Sequence, residues 1–342
     1  MSNSQLSPNG NAPLGPARHE LTPVNYGGQA VIEGVMMRGS RALSVAVRNP
    51  QGDIVVHTEP LDSRIYGGRL ARIPFLRGLT LLWDALGLGI KSLMFAAEVA
   101  LQEEGQTDAD GKPEKVFEGP VQWTMIAFSL TLSILLFFVL PTYLAHLIEQ
   151  ALGLSGQPVA INFIEGMIRL ALLIGYIWGI GRMADIKRLF GYHGAEHKTI
   201  NAYEAGAELT PASVARFPLE HPRCGTAFLL TVVIISILLY SLLPPLDLLP
   251  RILSRLVLLP VIAGIAYEFL KFTASRQSNP LIRLLTKPNL AMQRLTTREP
   301  DMDMLAVAIA AFENVLAYER SQTAVATGDT VIAAPAAAEP AA

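Results

Sequence analysis

The chain has 342 residues, of which 51% are hydrophobic and only 16% are charged, and its mean hydropathy is positive at +0.36. This composition is typical of a membrane protein with soluble parts, and the length allows one or two domains. A net charge of −2 gives no electrostatic argument for nucleic acid as a partner, and a single cysteine excludes an internal disulfide.

The two ends of the chain are predicted to be disordered tails. Residues 1–25 are polar and carry four prolines, without the apolar core of a secretory signal. Residues 321–342 are rich in alanine, proline and threonine and have no periodic apolar pattern. Between the tails we predict a cytosolic region, 26–120, a membrane domain, 121–275, and a cytosolic helical region, 276–320.

The N-terminal region is predicted to contain a small sheet followed by an amphipathic helix. Short apolar runs between 27 and 61, with a turn signal at 49–53, indicate a sheet with one hairpin. Over 73–101, charges recur every seven residues and so share one helical stripe; they are Arg77, Asp84, Lys91 and Glu98. We interpret 73–101 as a helix on the membrane surface or on the rest of the protein, and 102–119 as a linker. A fifth membrane segment is the alternative, disfavoured by the cost of four charges in lipid.

Four later segments are apolar enough to be predicted as membrane-spanning helices. They are residues 123–148, 162–181, 226–243 and 252–275. Glu165 and Arg169 are spaced to pair on one face of the second span. Glu268 and Lys271 indicate an ion pair at the membrane interface, or alternatively groups that line a path.

The distribution of basic residues predicts the orientation of these spans. The loop 149–161 has no lysine or arginine and 244–251 has one, whereas 182–223 has six and the segment after 275 is also basic. We therefore predict an α-helical polytopic membrane protein with about four spans, a small α+β cytosolic part and both termini cytoplasmic. A further helix over 304–316, begun by Pro300 and Asp301, is predicted to pack on the N-terminal sheet.

The residues that indicate chemistry are concentrated in the predicted cytosolic loop 182–223. His193, Glu196 and His197 have the order H-x-x-E-H of the inverted zinc peptidases. If 191–205 is helical, the two histidines lie one turn apart and can bind one metal ion, with Glu196 placed to act as a base. Further candidate ligands are Glu204 on the same stripe, together with His221 and Cys224. Imidazole and thiol donors favour Zn²⁺ over Mg²⁺ or Ca²⁺.

Other interpretations of the same residues remain open. Inverted zinc peptidases take their third ligand, a carboxylate, from a helix much further downstream, so the peptidase order alone does not predict a peptidase. The alternative is that the histidines and glutamates bond backbone groups at helix ends, with Cys224 capping a span. In that case the protein is predicted to be a non-enzymatic scaffold or an assembly factor for other membrane proteins. Its partners would then be the lipid bilayer, other membrane proteins or a second copy of the chain.

Five short motifs in order resemble the DUF1385 (YqhQ-like) family of bacterial membrane proteins. They are YGGQAVIEGVMMRG at 26–39, PFLRG at 74–78, YHGAEHK at 192–198, HPRCGT at 221–226 and LTTREP at 295–300. The resemblance covers about residues 25–320. It implies a bacterial inner-membrane protein that is described as a predicted metal-dependent enzyme, and a metal-dependent hydrolase is our leading expectation.

Overall fold

The structure is a computed structural model, and it describes residues 26–62, 73–78, 83–101, 120–154 and 156–327. The predicted N-terminal tail and the predicted linker 102–119 lie outside the described residues. Residues 321–327 of the predicted C-terminal tail are helical, because the last helix continues as far as Thr327. The remainder of that tail, 328–342, also lies outside the described residues.

The described residues are mostly helical and contain one small sheet. The strands are β1 (Gly27–Val31), β2 (Gly34–Arg38), β3 (Ala42–Arg48) and β4 (Ile54–Pro60). The helices are α1 (Gly89–Leu101), α2 (Pro120–Ile134), α3 (Leu140–Leu152), α4 (Pro158–Ile180), α5 (Ala184–Glu204), α6 (Pro211–Val214), α7 (Gly225–Ser241), α8 (Leu248–Val257), α9 (Leu259–Ala274), α10 (Pro280–Thr296) and α11 (Met302–Thr327). Two π-helical turns, Asp84–Leu88 and Leu135–Val139, precede α1 and α3.

The sheet is antiparallel with the strand order β1-β2-β3-β4, so it has three hairpins where one was predicted. Its central strands are covered on both faces. Val35 and Met37 of β2 join the core formed with α11, whereas Met36 between them joins the core under α1. This explains why β2 and β3 are nearly continuous apolar runs rather than alternating ones. The prediction that a C-terminal helix packs on this sheet is confirmed.

Two helical stretches are long and apolar enough to cross a membrane, Trp123–Leu152 and Pro158–Ile180. The pair Leu248–Val257 and Leu259–Ala274, bent by 45°, raises the number to three if it is one span. Gly225–Ser241 is apolar but has only 17 residues, which is about 25 Å of helix against a hydrocarbon core of about 30 Å. Length and composition therefore support two or three of the four predicted spans among the described residues.

Prolines explain the two irregular points in these helices. Pro141 follows the π-helical turn, and a proline cannot bond the carbonyl four residues earlier, which is that of Phe137. That carbonyl accepts instead from Arg169 Nε at 2.9 Å. Pro260 lies at the start of α9, directly after the bend between α8 and α9. What the sequence indicated as one straight span is therefore two helices.

Two of the four charges on the predicted stripe of 73–101 contact the rest of the protein. Arg77 binds Glu268 of α9 through two bonds of 2.6 and 2.5 Å, and Lys91 pairs with Glu59 of β4. The partner of Glu268 is thus Arg77, whereas Lys271 in the same helix was the predicted one. A Cβ on Gly78 would lie 2.8 Å from the Cα of Gly264, so the segment 73–78 packs directly on α9.

The turn between β1 and β2 depends on an ion pair with α5. Glu33 has a positive φ of 49°, and its carboxylate accepts two bonds, of 2.6 and 2.5 Å, from the guanidinium of Arg188. These hydrogen bonds lower the pKa of Glu33 against the opposing effect of burial. A lowered folded-state pKa gives stability that is present above the unfolded pKa and is lost as the pH falls through the folded value.

We expect Arg188→Gln to lower the melting temperature at neutral pH, because Glu33 loses its partner. The difference from the parent should shrink as the pH falls below about 4.3, the ordinary pKa of a glutamate, and should be lost below the lowered pKa of folded Glu33, where the carboxylate is protonated in both proteins. A series of thermal melts against pH measures this, with the exposed neighbour Lys187→Gln as control. A difference that is independent of pH would contradict the assigned role of the pair.

Candidate metal centre

The site is built on α5, which begins at Ala184 and so extends further than the predicted helix 191–205. Two glycines let neighbouring segments approach this helix closely. A Cβ on Gly194 would lie 2.1 Å from the carbonyl oxygen of Arg298, and one on Gly191 would lie 2.7 Å from the sulfur of Met304. The chain after α10 therefore lies directly against α5, beside His193.

This close approach predicts opposite results for the same substitution at two helical glycines. We expect Gly194→Ala to destabilise the protein by about 1–3 kcal/mol, because the added methyl overlaps a backbone oxygen that cannot move freely. Gly175→Ala in α4 has open space around its Cβ and should be neutral or slightly stabilising. Thermal unfolding of both variants in detergent measures the contrast, and equal melting temperatures would contradict it.

Backbone carbonyls orient two histidines on α5. Nδ1 of His193 lies 2.8 Å from the carbonyl oxygen of Thr296, and Nδ1 of His197 lies 2.5 Å from that of Leu219. A carbonyl oxygen only accepts, so Nδ1 is the donor of each bond, and in a neutral imidazole this leaves the lone pair on Nε2. Histidines that bind metals in proteins are commonly held in this way, with Nε2 facing the ion.

The sulfur of Cys224 completes a group of three donors. His193 Nε2 lies 3.2 Å from Cys224 Sγ, and the potential ligand atoms of His193, His197 and Cys224 all lie within 4.8 Å of one another. Around a tetrahedral Zn²⁺, nitrogen and sulfur ligands are about 3.6 Å apart, as follows from bond lengths of about 2.1 and 2.3 Å. The distance between His193 Nε2 and Cys224 Sγ is close to this value, and the upper limit of 4.8 Å for the group would have to shorten for all three donors to bind one zinc ion.

Burial distinguishes this group from a chance surface cluster. His197 is fully buried and Cys224 is 5% exposed. Nε2 of His197 is buried without a hydrogen-bond partner, a condition that ordinarily costs free energy. A metal ion bound to this nitrogen would remove that cost. Cys224 is also the N-cap of α7, where its sulfur accepts from the Thr226 amide at 3.4 Å, and a helix N-terminus favours an anionic group.

His221 lies beside the group without belonging to it. Its ring is 5.7 Å from that of His197, and its buried Nε2 has no hydrogen-bond partner. Glu204 Oε2 is 3.8 Å from this nitrogen, which is too long for a hydrogen bond. Burial lowers the pKa of His221 and so favours its neutral form. The side-chain amide of Gln293 holds the backbone of His221 through two hydrogen bonds, of 3.0 and 2.8 Å.

The two predicted carboxylates are not brought to the donors, in the part of the chain that the structure describes. Glu204 pairs with Arg223 at the end of α5. It shares the stripe of His193, as predicted, but eleven residues of helix separate them by about 16 Å along the axis. Glu196 is 5% exposed and packs on β1, where a Cβ on Gly28 would lie 3.0 Å from its carboxyl carbon. Burial raises the pKa of Glu196 to about 7.

Sequence reasoning missed the residues that orient the histidines. The Thr296 carbonyl and Gln293 come from α10, and the Leu219 carbonyl comes from the segment before α7. The motif LTTREP at 295–300 marked this segment as one that resembles the family. Its residue types, however, do not predict a contact with a histidine. Its contribution is a backbone oxygen, which every residue has.

Two comparisons with known proteins agree on the family. Residues 73–318 match the family described as "Protein of unknown function (DUF1385)". The chain is 35% identical over 307 residues to "Uncharacterized protein YqhQ" of Bacillus subtilis (strain 168), an alignment that covers 89% of this chain and 95% of the relative. No solved structure matches. With a match over more than half of its length and a relative aligned almost end to end, the chain belongs to the DUF1385 family.

Proposed function

We propose that this chain is a polytopic membrane protein with a zinc centre at the cytosolic ends of its helices. His193 Nε2, His197 Nε2 and Cys224 Sγ are the ligands. The observation that carries the proposal is the buried, unpartnered Nε2 of His197, in a group whose ligand atoms lie within 4.8 Å of one another. Because Nδ1 of each histidine contacts a backbone carbonyl, Nε2 is the nitrogen available to an ion.

The leading function for this centre is metal-dependent hydrolysis at the inner membrane face. Three protein ligands with a fourth position for water are typical of catalytic zinc, which supplies Lewis-acid activation of water. In this chain the Thr296 and Leu219 carbonyls hold the imidazole rings in place, and α5 and α7 bring the three donors together. Glu196 is not at the donors, so the role of base that the sequence indicated for it has no support from its position.

A non-enzymatic scaffold is the second candidate, and the surroundings of His221 favour it. A fourth protein ligand would give the closed coordination of a structural zinc site. His221 is 2% exposed, neighbours His197 and has an unpartnered Nε2. In that role the ion would fasten α5 to the segment before α7, and the protein would act through contact with other membrane proteins.

Metal analysis of the purified full chain tests the zinc centre. We expect about one zinc per chain, and Co²⁺ exchanged for it should give the visible spectrum of a tetrahedral, thiolate-ligated ion. His221→Ala separates the two roles. A spectrum unchanged by this substitution supports an open fourth position and hydrolysis, whereas a changed one supports the closed structural site. A parent protein without stoichiometric metal contradicts the zinc centre, whether catalytic or structural.

The membrane topology is tested by labelling single cysteines in intact cells. In a Cys224→Ser background, Gln157→Cys lies in the loop between α3 and α4, and Glu208→Cys follows α5; both positions are exposed. If the basic loop is cytoplasmic, a membrane-impermeant maleimide should label position 157 and not position 208. After the cells are broken it should label both. The reverse pattern would contradict the proposed orientation, and labelling of both in intact cells would contradict insertion.

A further inference from the structure

At the other end of the membrane helices lies a buried cluster of charged side chains. Among the described residues of α3, α4 and α8 it contains three arginines and two glutamates, so one positive charge is in excess. Its members are Glu149, Glu165, Arg169, Arg251 and Arg255. Asp247 lies nearby at the start of α8, but it is exposed and its charge is screened by solvent.

Glu165 has its full complement of partners in this cluster. It is completely buried and accepts from Arg169 at 2.7 Å and from Arg255 at 2.9 Å to each oxygen. Arg255 also donates a hydrogen bond of 2.5 Å to the side-chain oxygen of Asn162, which thereby joins the same network. The carboxylate of Glu165 therefore has no free oxygen for a further positive group, although Nη1 of Arg169 is buried without a hydrogen-bond partner.

Two arginines of the cluster have an unused donor at Nη1, Arg169 and Arg251, and the one that lines a cavity is Arg251. It is 7% exposed, its Nη2 lies 2.9 Å from Glu149, and its Nε donates to the Leu246 carbonyl at 3.2 Å. Its Nη1 is buried and has no hydrogen-bond partner. A buried guanidinium nitrogen without an acceptor is costly, and an anionic oxygen is the acceptor that stabilises it most.

A small cavity is present beside this guanidinium. It has a volume of about 10 Å³, room for one oxygen-sized group, and both Arg251 and Arg255 line it. Gly156 and Pro244, from the two loops that join the helices, form part of its wall. The cavity therefore lies where the helices end, at the level that lipid headgroups occupy in a bilayer.

We propose that this cavity binds one oxygen of an anionic phosphate group, which neutralises the excess charge of the cluster. The guanidinium fork of arginine matches the geometry of phosphate oxygens. The remainder of the phosphate group would lie at the mouth between the two loops, since the cavity holds only one oxygen. The phosphate can be that of a lipid headgroup or soluble inorganic phosphate, and the two sources are separated by experiment.

The test uses thermal unfolding of the purified full chain with two probes. One is sodium phosphate in detergent, compared with sodium chloride at equal ionic strength. The other is nanodiscs of phosphatidylcholine with or without phosphatidylglycerol. A shift with phosphate in detergent assigns soluble phosphate, and a shift with phosphatidylglycerol alone assigns the headgroup; either supports the site. No shift of the unsubstituted protein with either probe overturns the proposal.

Charge variants locate the effect. Arg251→Gln should reduce the shift in melting temperature that the active probe causes at least about tenfold, because it removes the guanidinium and its unused donor. Glu149→Gln should strengthen it, because it increases the excess positive charge. Arg283→Gln, at an exposed position outside the cluster, is the control. If Arg251→Gln fails to fold, Glu149→Gln/Arg251→Gln removes the pair together and should also lose the response. Equal responses from the cluster variants and the control overturn the proposal.

Discussion

Replacing His197 by alanine is expected to reduce zinc binding from about one ion per chain to none. The imidazole is fully buried and its Nδ1 contacts the Leu219 carbonyl, so alanine removes a donor that the fold holds in one position. Loss of an outer partner of a zinc ligand typically costs 10–100-fold in affinity, and loss of the ligand itself should cost more. His193→Ala and Cys224→Ser should behave in the same way.

Metal analysis and stability measurements together make this result specific. The unsubstituted protein should melt higher with zinc than after chelation, since a ligand at about 100 times its Kd adds about 2.7 kcal/mol of stability. His197→Ala should melt at the same temperature with and without zinc. His57→Ala, at an exposed histidine on β4, should keep both the ion and the shift. A zinc-dependent shift that survives in His197→Ala would exclude this residue as a ligand.

The second large effect is expected at Glu165, where the ion-pair network is buried within the membrane helices. Glu165→Gln should destabilise the protein by about 3–5 kcal/mol, because it leaves Arg255 and Arg169 without their shared counter-charge. The amide is almost the same size as the carboxylate, so lost packing does not explain the change. Thermal unfolding in detergent measures it against Glu313→Gln, at an exposed glutamate on α11.

The double variant Glu165→Gln/Arg255→Gln provides a further check on the cause. It removes a carboxylate and one of the guanidinium groups that depend on it, so it should recover part of the stability lost in Glu165→Gln. A double variant that is less stable than predicted from adding the two single effects would show that the network is held by something other than charge compensation.

Local patterns allowed several elements to be predicted correctly from the sequence. The i,i+4 spacing of Glu165 and Arg169 predicted an ion pair, and the structure has it at 2.7 Å. The helical periodicity of 304–316 predicted α11 and its packing on the sheet. The order of His193 and His197 predicted that two imidazoles lie one turn apart, and their ring centres are 4.4 Å apart.

Other predictions were wrong because they extended a local rule over too great a distance. Glu204 was predicted to lie near His193 because the two residues have similar angles around the helix axis, but the rise of the helix separates them along that axis. The partner of Glu268 was sought within its own helix, whereas Arg77 reaches it from a segment 191 residues earlier.

The sequence by itself determined the apolar helices, the strand-forming runs and the presence of histidine and cysteine donors in one region, because these depend on residue type and on spacing within a few helical turns. Only the tertiary structure decided which donors meet. Cys224 is 31 residues from His193, and the carbonyl that fixes the His193 tautomer is 103 residues away. Contacts at such separations depend on how close two backbones pass, which Gly194 permits but which no local pattern specifies.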